Sequence, residues 1–122
     1  MERMTLSKLM ASVDKNKANA YSEDQKTEWT NKLEGIIQVE LQKKDLDDVI
    51  RYIWDDDKET ELIVPYPYAD IYIYYLYAMI DYENREIESY NNNMSLFNEA
   101  YSQYEAYWKK NNPGSNQFIN YW

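Results

Sequence analysis

Carboxylates are the reactive side chains this chain holds in quantity, and Asp45, Asp47 and Asp48, then Asp55, Asp56 and Asp57, gather six of them on one short stretch. Oxygen-rich clusters can hold calcium or magnesium, but this spacing lacks the glycine turn and closing glutamate of an EF-hand loop. A solvated acidic loop is therefore expected, and no metal site is assigned. A carboxylate pair could also act as acid and nucleophile in glycoside cleavage, yet nothing in the order of residues singles one out. There is no histidine and no cysteine. That removes Ser-His-Asp and Cys-His arrangements, the imidazole general base, thiol chemistry and cysteine-type zinc sites together. The only glycines are Gly35 and Gly114, and two isolated glycines cannot build a phosphate-cradling loop. The expectation is a protein that is not an enzyme and carries no cofactor.

Charge and length narrow the class. The 122 residues fit one domain, and a chain of this size buries roughly two-thirds of its unfolded surface. The net charge of -9, from 22 acidic and 13 basic side chains, opposes direct binding to nucleic acid, which rests on lysine and arginine displacing counterions from phosphate. An acidic wall can still serve a DNA conduit, since a channel must not hold its cargo. No run of about 18 apolar residues is present for a membrane span, and the start Met-Glu-Arg-Met-Thr-Leu-Ser-Lys lacks the apolar stretch of a secretion signal. The protein is expected in the cytosol, with no membrane partner.

The elements that would position any site are helices. Thr5 or Ser7 can cap a first helix with Leu6, Leu9, Met10 and Val13 on one face, ending near Asn16. Ser22 followed by Gln25 has capping-box spacing. It introduces a second helix, about Glu23 to Gln42, with Trp29, Leu33, Ile36, Ile37 and Leu41 as the apolar face and Glu28, Lys32, Glu34 and Glu40 at its border. Gly35 inside that helix costs about 1 kcal/mol relative to alanine, which suggests a close approach by a neighbouring element. From Lys43 to Val64 an acidic connector is expected to carry one helical turn or strand. Val64-Pro65-Tyr66-Pro67 must run extended, because a residue before proline is pushed out of the α region. Ala69 to Tyr82 is apolar nearly all round, and its length favours a helix over a strand. A turn near Asn84 then leads into a last helix, about Arg85 to Lys110, stopped by Asn111-Asn112-Pro113-Gly114. The fold class expected is all-α, a small bundle of about four helices with an irregular acidic connector between the second and third. It divides as a helical domain over residues 1–114 and a tail over 115–122.

Eleven of the fourteen tyrosines lie between Tyr66 and Tyr107. In the last helix Ile87, Tyr90, Met94, Phe97, Tyr101, Tyr104 and Trp108 recur at alternating steps of three and four, the seam of one helix lying along another. Asn91, Asn92 and Asn93 fall away from that seam. Tyrosine rings seek burial while their hydroxyls seek partners. Subunit interfaces, apolar in the centre and wet at the rim, satisfy both demands. Tyr72, Tyr75, Tyr101 and Tyr104 are therefore candidate assembly-interface residues, together with Phe118, Ile119, Tyr121 and Trp122 of the tail.

The order of pieces resembles the head–tail connector, or adaptor, proteins of tailed bacteriophages and prophages of Gram-positive bacteria. The pieces are Met4-Thr-Leu-Ser-Lys-Leu-Met, Trp29-Thr-Asn-Lys-Leu-Glu-Gly-Ile-Ile, the Leu-Ile-Val-Pro-x-Pro-Tyr run at 62 to 68, and the Tyr-Asn-Asn-Asn-Met-x-x-Phe-Asn-x-Ala-Tyr run at 90 to 101. Together they span roughly Met4 to Trp108. Where such a chain would carry a glycine in the turn near Asn84, this one has Asn-Arg, and asparagine tolerates a left-handed conformation. The resemblance implies a helical virion protein that forms a homo-oligomeric ring beneath the portal protein, extends the DNA channel and offers a platform to the next neck or tail-completion protein. Genomic DNA would pass through without specific binding. It implies residence in the host bacterial cytoplasm during assembly and then in the virion neck. Within such a ring, the connector from Lys43 to Val64 and the tail are expected to become ordered against neighbours. Two other classes fit less well: an acidic DNA mimic that inhibits a host nucleic-acid enzyme, and a helical regulatory dimer paired through the heptad seam.

Overall fold

A side-chain cap starts each of the first two long helices. In the computed structural model, which describes residues 3–113, Thr5 closes strand β1 (Arg3–Thr5) and its Oγ1 accepts the Lys8 N–H at 3.2 Å to open α1 (Leu6–Asn16). Ser22 Oγ accepts the Gln25 N–H at 3.0 Å at the head of α2 (Glu23–Glu40). Such caps satisfy amide groups that helical bonding leaves free. After a single 3-10 turn (Leu46–Asp48) come the one-turn helix α3 (Trp54–Asp57) and strand β2 (Glu61–Pro65). Two long helices follow, α4 (Asp70–Glu83) and α5 (Ile87–Asn111).

The protein is mostly helical, but it is not a pure helical bundle. β1 pairs antiparallel with β2, Arg3 opposite Pro65 and Thr5 opposite Glu61, with an irregularity between the two pairs. β2 alternates exposed Glu61, buried Leu62, half-buried Ile63 and buried Val64, the period-two pattern of a half-covered strand. The amides of Leu6 and Ser7, free at the start of α1, donate to the Thr60 and Lys58 carbonyls at 3.1 and 2.8 Å. The connector thus completes the first helix.

α4 is the central element and packs on α5, α2 and α1. Its buried Ile71, Tyr72, Leu76 and Ile80 meet Leu9, Met10 and Val13 of α1, Trp29, Leu33 and Ile37 of α2, and Leu62 and Val64 of β2 in one core. The heptad seam of α5 is seated on the chain's own α4 from Tyr90 onward, whereas Ile87 at its head stays exposed. Tyr82 faces Tyr90, Tyr75 faces Phe97 and Tyr68 faces Tyr104, with ring centroids 5.6, 5.2 and 5.8 Å apart. Rings seven residues apart on each side, in opposite order, are the signature of an antiparallel helical hairpin.

The turn of that hairpin differs from expectation. Asn84 is right-handed, its N–H closing the helix on the Ile80 carbonyl, and the left-handed residue is Arg85 at φ 60°. Asn84 instead uses its side chain, whose Oδ1 accepts the Tyr21 hydroxyl at 2.6 Å. Gly35 also departs from expectation. A Cβ added there would lie 3.8 Å from Val49 Cγ1, an ordinary contact, so no close approach within the protomer requires glycine.

Candidate functional site

α2 buries a row of polar side chains along with its apolar face. Asn31, Glu34 and Gln38 recur at helical spacing beside the apolar row of Leu33, Ile37 and Leu41, and all three are buried. Asn31 clasps the backbone of Tyr52, accepting its N–H at 2.8 Å and donating to its carbonyl at 2.9 Å. Gln38 does the same for Ile50, at 2.9 and 3.0 Å. Two side-chain amides thereby replace the strand partner that this connector segment lacks.

Glu34, expected at the border of α2, is fully buried between these amides. Its Oε2 accepts the Tyr52 hydroxyl at 2.8 Å and the Ile63 N–H at 2.9 Å, while Oε1 accepts the Tyr72 hydroxyl at 2.6 Å. The Tyr72 oxygen in turn accepts the Val64 N–H at 2.8 Å. Burial holds the Glu34 carboxyl above the ordinary carboxylate range, despite the opposing pull of the three donors. Burial and the neighbouring Glu34 charge likewise push the Tyr52 and Tyr72 hydroxyls well upward, and burial brings Tyr104 to about 12.

A second buried carboxylate, Asp81, closes the other end of α4. Lys17 pairs with it at 2.7 Å, and Ser89 Oγ and Asn93 Nδ2 donate to Oδ2 at 2.6 and 2.8 Å. Burial opposes ionisation here, but the Lys17 ammonium and the two donors outweigh it and hold Asp81 below its usual range. Asn93, though outside the heptad seam as expected, thus turns toward Asp81. Buried Lys26 is bound by Asp14 and by Glu23 at 2.9 Å. Burial alone would lower its pKa, and these carboxylates raise it above the ordinary lysine value.

These contacts revise the expected interface. Tyr72 and Tyr104 are buried in the protomer, so neither offers a surface to a neighbour: Tyr72 is committed to Glu34 and Val64, and Tyr104 packs under Tyr68 and Tyr107. Tyr75 and Tyr101 are half-buried, both packed on Phe97. Phe118, Ile119, Tyr121 and Trp122 lie outside the described residues. The connector is also corrected, because α2 already pins it within a single copy. Asp57 serves it locally by accepting the Ile53 N–H at 2.7 Å. Among the described residues, no group of three or more acidic side chains is arranged to hold a metal ion, and no helix is long and apolar enough to cross a membrane.

Among the described residues, most of the large apolar side chains left exposed fall in two places, with Tyr66 and Leu96 standing apart from both. Beside α2, Ile36, Val39, Leu46 and Val49 line a groove of about 480 Å³ with Gly35 on its wall, and Leu46 is 79% exposed. Ile50 and Ile53 are exposed farther along the same connector. At the α4–α5 turn, Tyr82 and Ile87 stand 63% and 69% exposed. Isolated apolar side chains are normal on a surface, but contiguous ones mark contact sites.

No family model matches the chain, and no curated protein or solved structure matches it.

The buried polar row was missed because glutamate, asparagine and glutamine are mostly exposed residues. Its spacing at 31, 34 and 38, adjacent to an apolar row of the same period, was the available signal.

Proposed function

We propose that the protein is a structural assembly subunit, a head–tail connector that forms a ring under the portal of a tailed phage and carries the DNA channel toward the tail. The observation that most supports this is the division of side chains on the folded protomer. Its buried carboxylates are occupied in holding helices and connector together, whereas large apolar groups such as Leu46, Ile53, Tyr82 and Ile87 are left at the surface. A rigid, acidic, mostly helical block with uncovered apolar patches is suited to stacking beside copies of itself and beneath a larger ring. Its net charge of -9 suits passage of DNA without capture. The tyrosines contribute differently from the sequence expectation, chiefly by stiffening the protomer rather than by joining protomers.

Affinity capture from cells expressing the neighbouring genes tests this reading. Recovery of the portal protein supports it. Recovery of a basic nucleic-acid enzyme without portal would favour a DNA-mimic inhibitor and overturn it.

A further inference from the structure

The connector segment runs past α2 with hydrogen bonds along one edge only. Gln38 binds both the N–H and the carbonyl of Ile50, and Asn31 binds both groups of Tyr52. Residues two apart in an extended chain turn these groups to one side, and the residue between them turns its own to the other. The Arg51 N–H and carbonyl therefore point away from α2. Among the described residues neither has a hydrogen-bond partner, and Arg51 is exposed. The two side-chain amides thus stand in for a strand on one side, and the other side is an open strand edge, a template for pairing with another chain.

The side chains around this edge define what fits along it. Ile50 and Ile53, exposed before and after Arg51, are apolar groups that a paired strand would cover. Asp45, Asp47 and Asp48 precede the edge and Asp55 and Asp56 follow it, all exposed. Between Asp45 and Asp57 the one base is Arg51, and Glu28 holds it at 2.6 Å. Just outside that stretch, Lys44 donates to Gln38 Oε1 and Lys58 lies over the Trp54 ring, so among the described connector residues only Lys43 is an uncommitted cation. The facing wall of α2 adds one base, Lys32, and one acid, Glu40. This balance decides between occupants. A second copy pairing antiparallel through the same edge would bring its own aspartates against these and set Arg51 opposite Arg51, both unfavourable. A strand with basic ends avoids the two conflicts.

We propose that the open edge at Arg51 takes up an extended segment of a partner protein, apolar at its centre and carrying lysine or arginine at both ends. The segment adds as a strand, exchanging backbone hydrogen bonds with the Arg51 N–H and carbonyl and covering Ile50 and Ile53, while its basic ends meet the two aspartate groups. This contact goes beyond the assembly reading above and does not depend on a ring.

The probe is a synthetic peptide of alternating valine and threonine with lysines at both ends, titrated into the full chain while amide hydrogen exchange is followed residue by residue. At saturation the Arg51 amide should exchange about tenfold more slowly or better, with the already bonded Ile50 and Tyr52 amides little changed. The same peptide with glutamates in place of the lysines should bind about tenfold more weakly. Arg51→Ala keeps the backbone groups and should bind like the parent, whereas Arg51→Pro removes the donor and should abolish binding. If Arg51→Pro fails to fold, the exchange result in the parent decides. No binding at millimolar peptide, or binding that leaves Arg51 exchange unchanged, overturns the proposal. Neither result touches portal binding, so the connector reading stands or falls separately.

Discussion

Tyr72 Oη lies 2.6 Å from Glu34 Oε1 and donates to it, while accepting the Val64 N–H at 2.8 Å. One hydroxyl thus joins α2, α4 and β2 at the centre of the protein. Replacing it by Tyr72→Phe keeps the ring but strips one donor from a buried carboxylate and the acceptor from a buried amide. The expected cost is about 2 kcal/mol, read as a lower denaturant midpoint with unchanged slope. Tyr52→Phe removes a donor to the other carboxylate oxygen, and the two losses should be non-additive because both act through Glu34. Additive costs would argue against a single network.

Glu34→Gln tests the same centre from the acid side. The amide can still accept from Tyr72, but an NH2 placed at Oε2 faces the Ile63 N–H, donor against donor. A loss of about 1–3 kcal/mol is expected near neutral pH from the unsatisfied amide, partly offset by removal of a buried charge.

The pH dependence of stability should have two opposed limbs. Asp81 and Asp14 are held below the ordinary 3.8, so their contribution is present above that value and is lost as pH falls through the depressed ones. Glu34 is raised above the ordinary 4.5, so its contribution is full below that value and is lost as pH rises through the raised one. Denaturation across pH should therefore show that Asp81→Asn flattens the acid limb, while Glu34→Gln flattens the decline above about 4.5. A wild-type advantage over Glu34→Gln that grows with rising pH would contradict the assignment.

Gln38→Ala and Asn31→Ala should free the connector without unfolding the helices. Each substitution removes two bonds to the backbone at Ile50 or Tyr52. Hydrogen exchange at the Ile50 and Tyr52 amides should accelerate by at least tenfold, equivalent to about 1.4 kcal/mol of lost protection. Exchange as slow as in the parent would show that other contacts hold the segment.

Two backbone substitutions should stabilise the protomer. Gly35→Ala fits beside Val49 and removes a helix-interior glycine, for a gain of about 0.5–1 kcal/mol. Arg85→Gly relieves a left-handed arginine, for about 1 kcal/mol. Thermal melting of each variant checks both.

Periodicity made the helices legible, and chemistry at short range made their starts legible. The Thr5 and Ser22 caps, the apolar face of α1 and the long α4 and α5 follow from spacing that any helix must obey. The sheet was less visible because β1 is three residues long and gains its partner only after the chain has folded back from Glu61. The heptad seam was read correctly as a helix-packing surface, but periodicity says nothing about whose helix covers it, and the protein's own α4 does. Glu34 shows the opposite case: spacing puts it only at the border of the apolar face, because the partners that bury it, Tyr52, Ile63 and Tyr72, are distant in sequence. The groove and the turn depend on three-dimensional placement alone, so no local signal marked them.

The most direct test of the proposed assembly is electron microscopy of the protein mixed with a candidate portal protein. A connector should add a ring layer below the portal, built of many copies of this chain around a continuous channel. Portal particles without added density, alongside a chain that stays monomeric at every concentration, would contradict it.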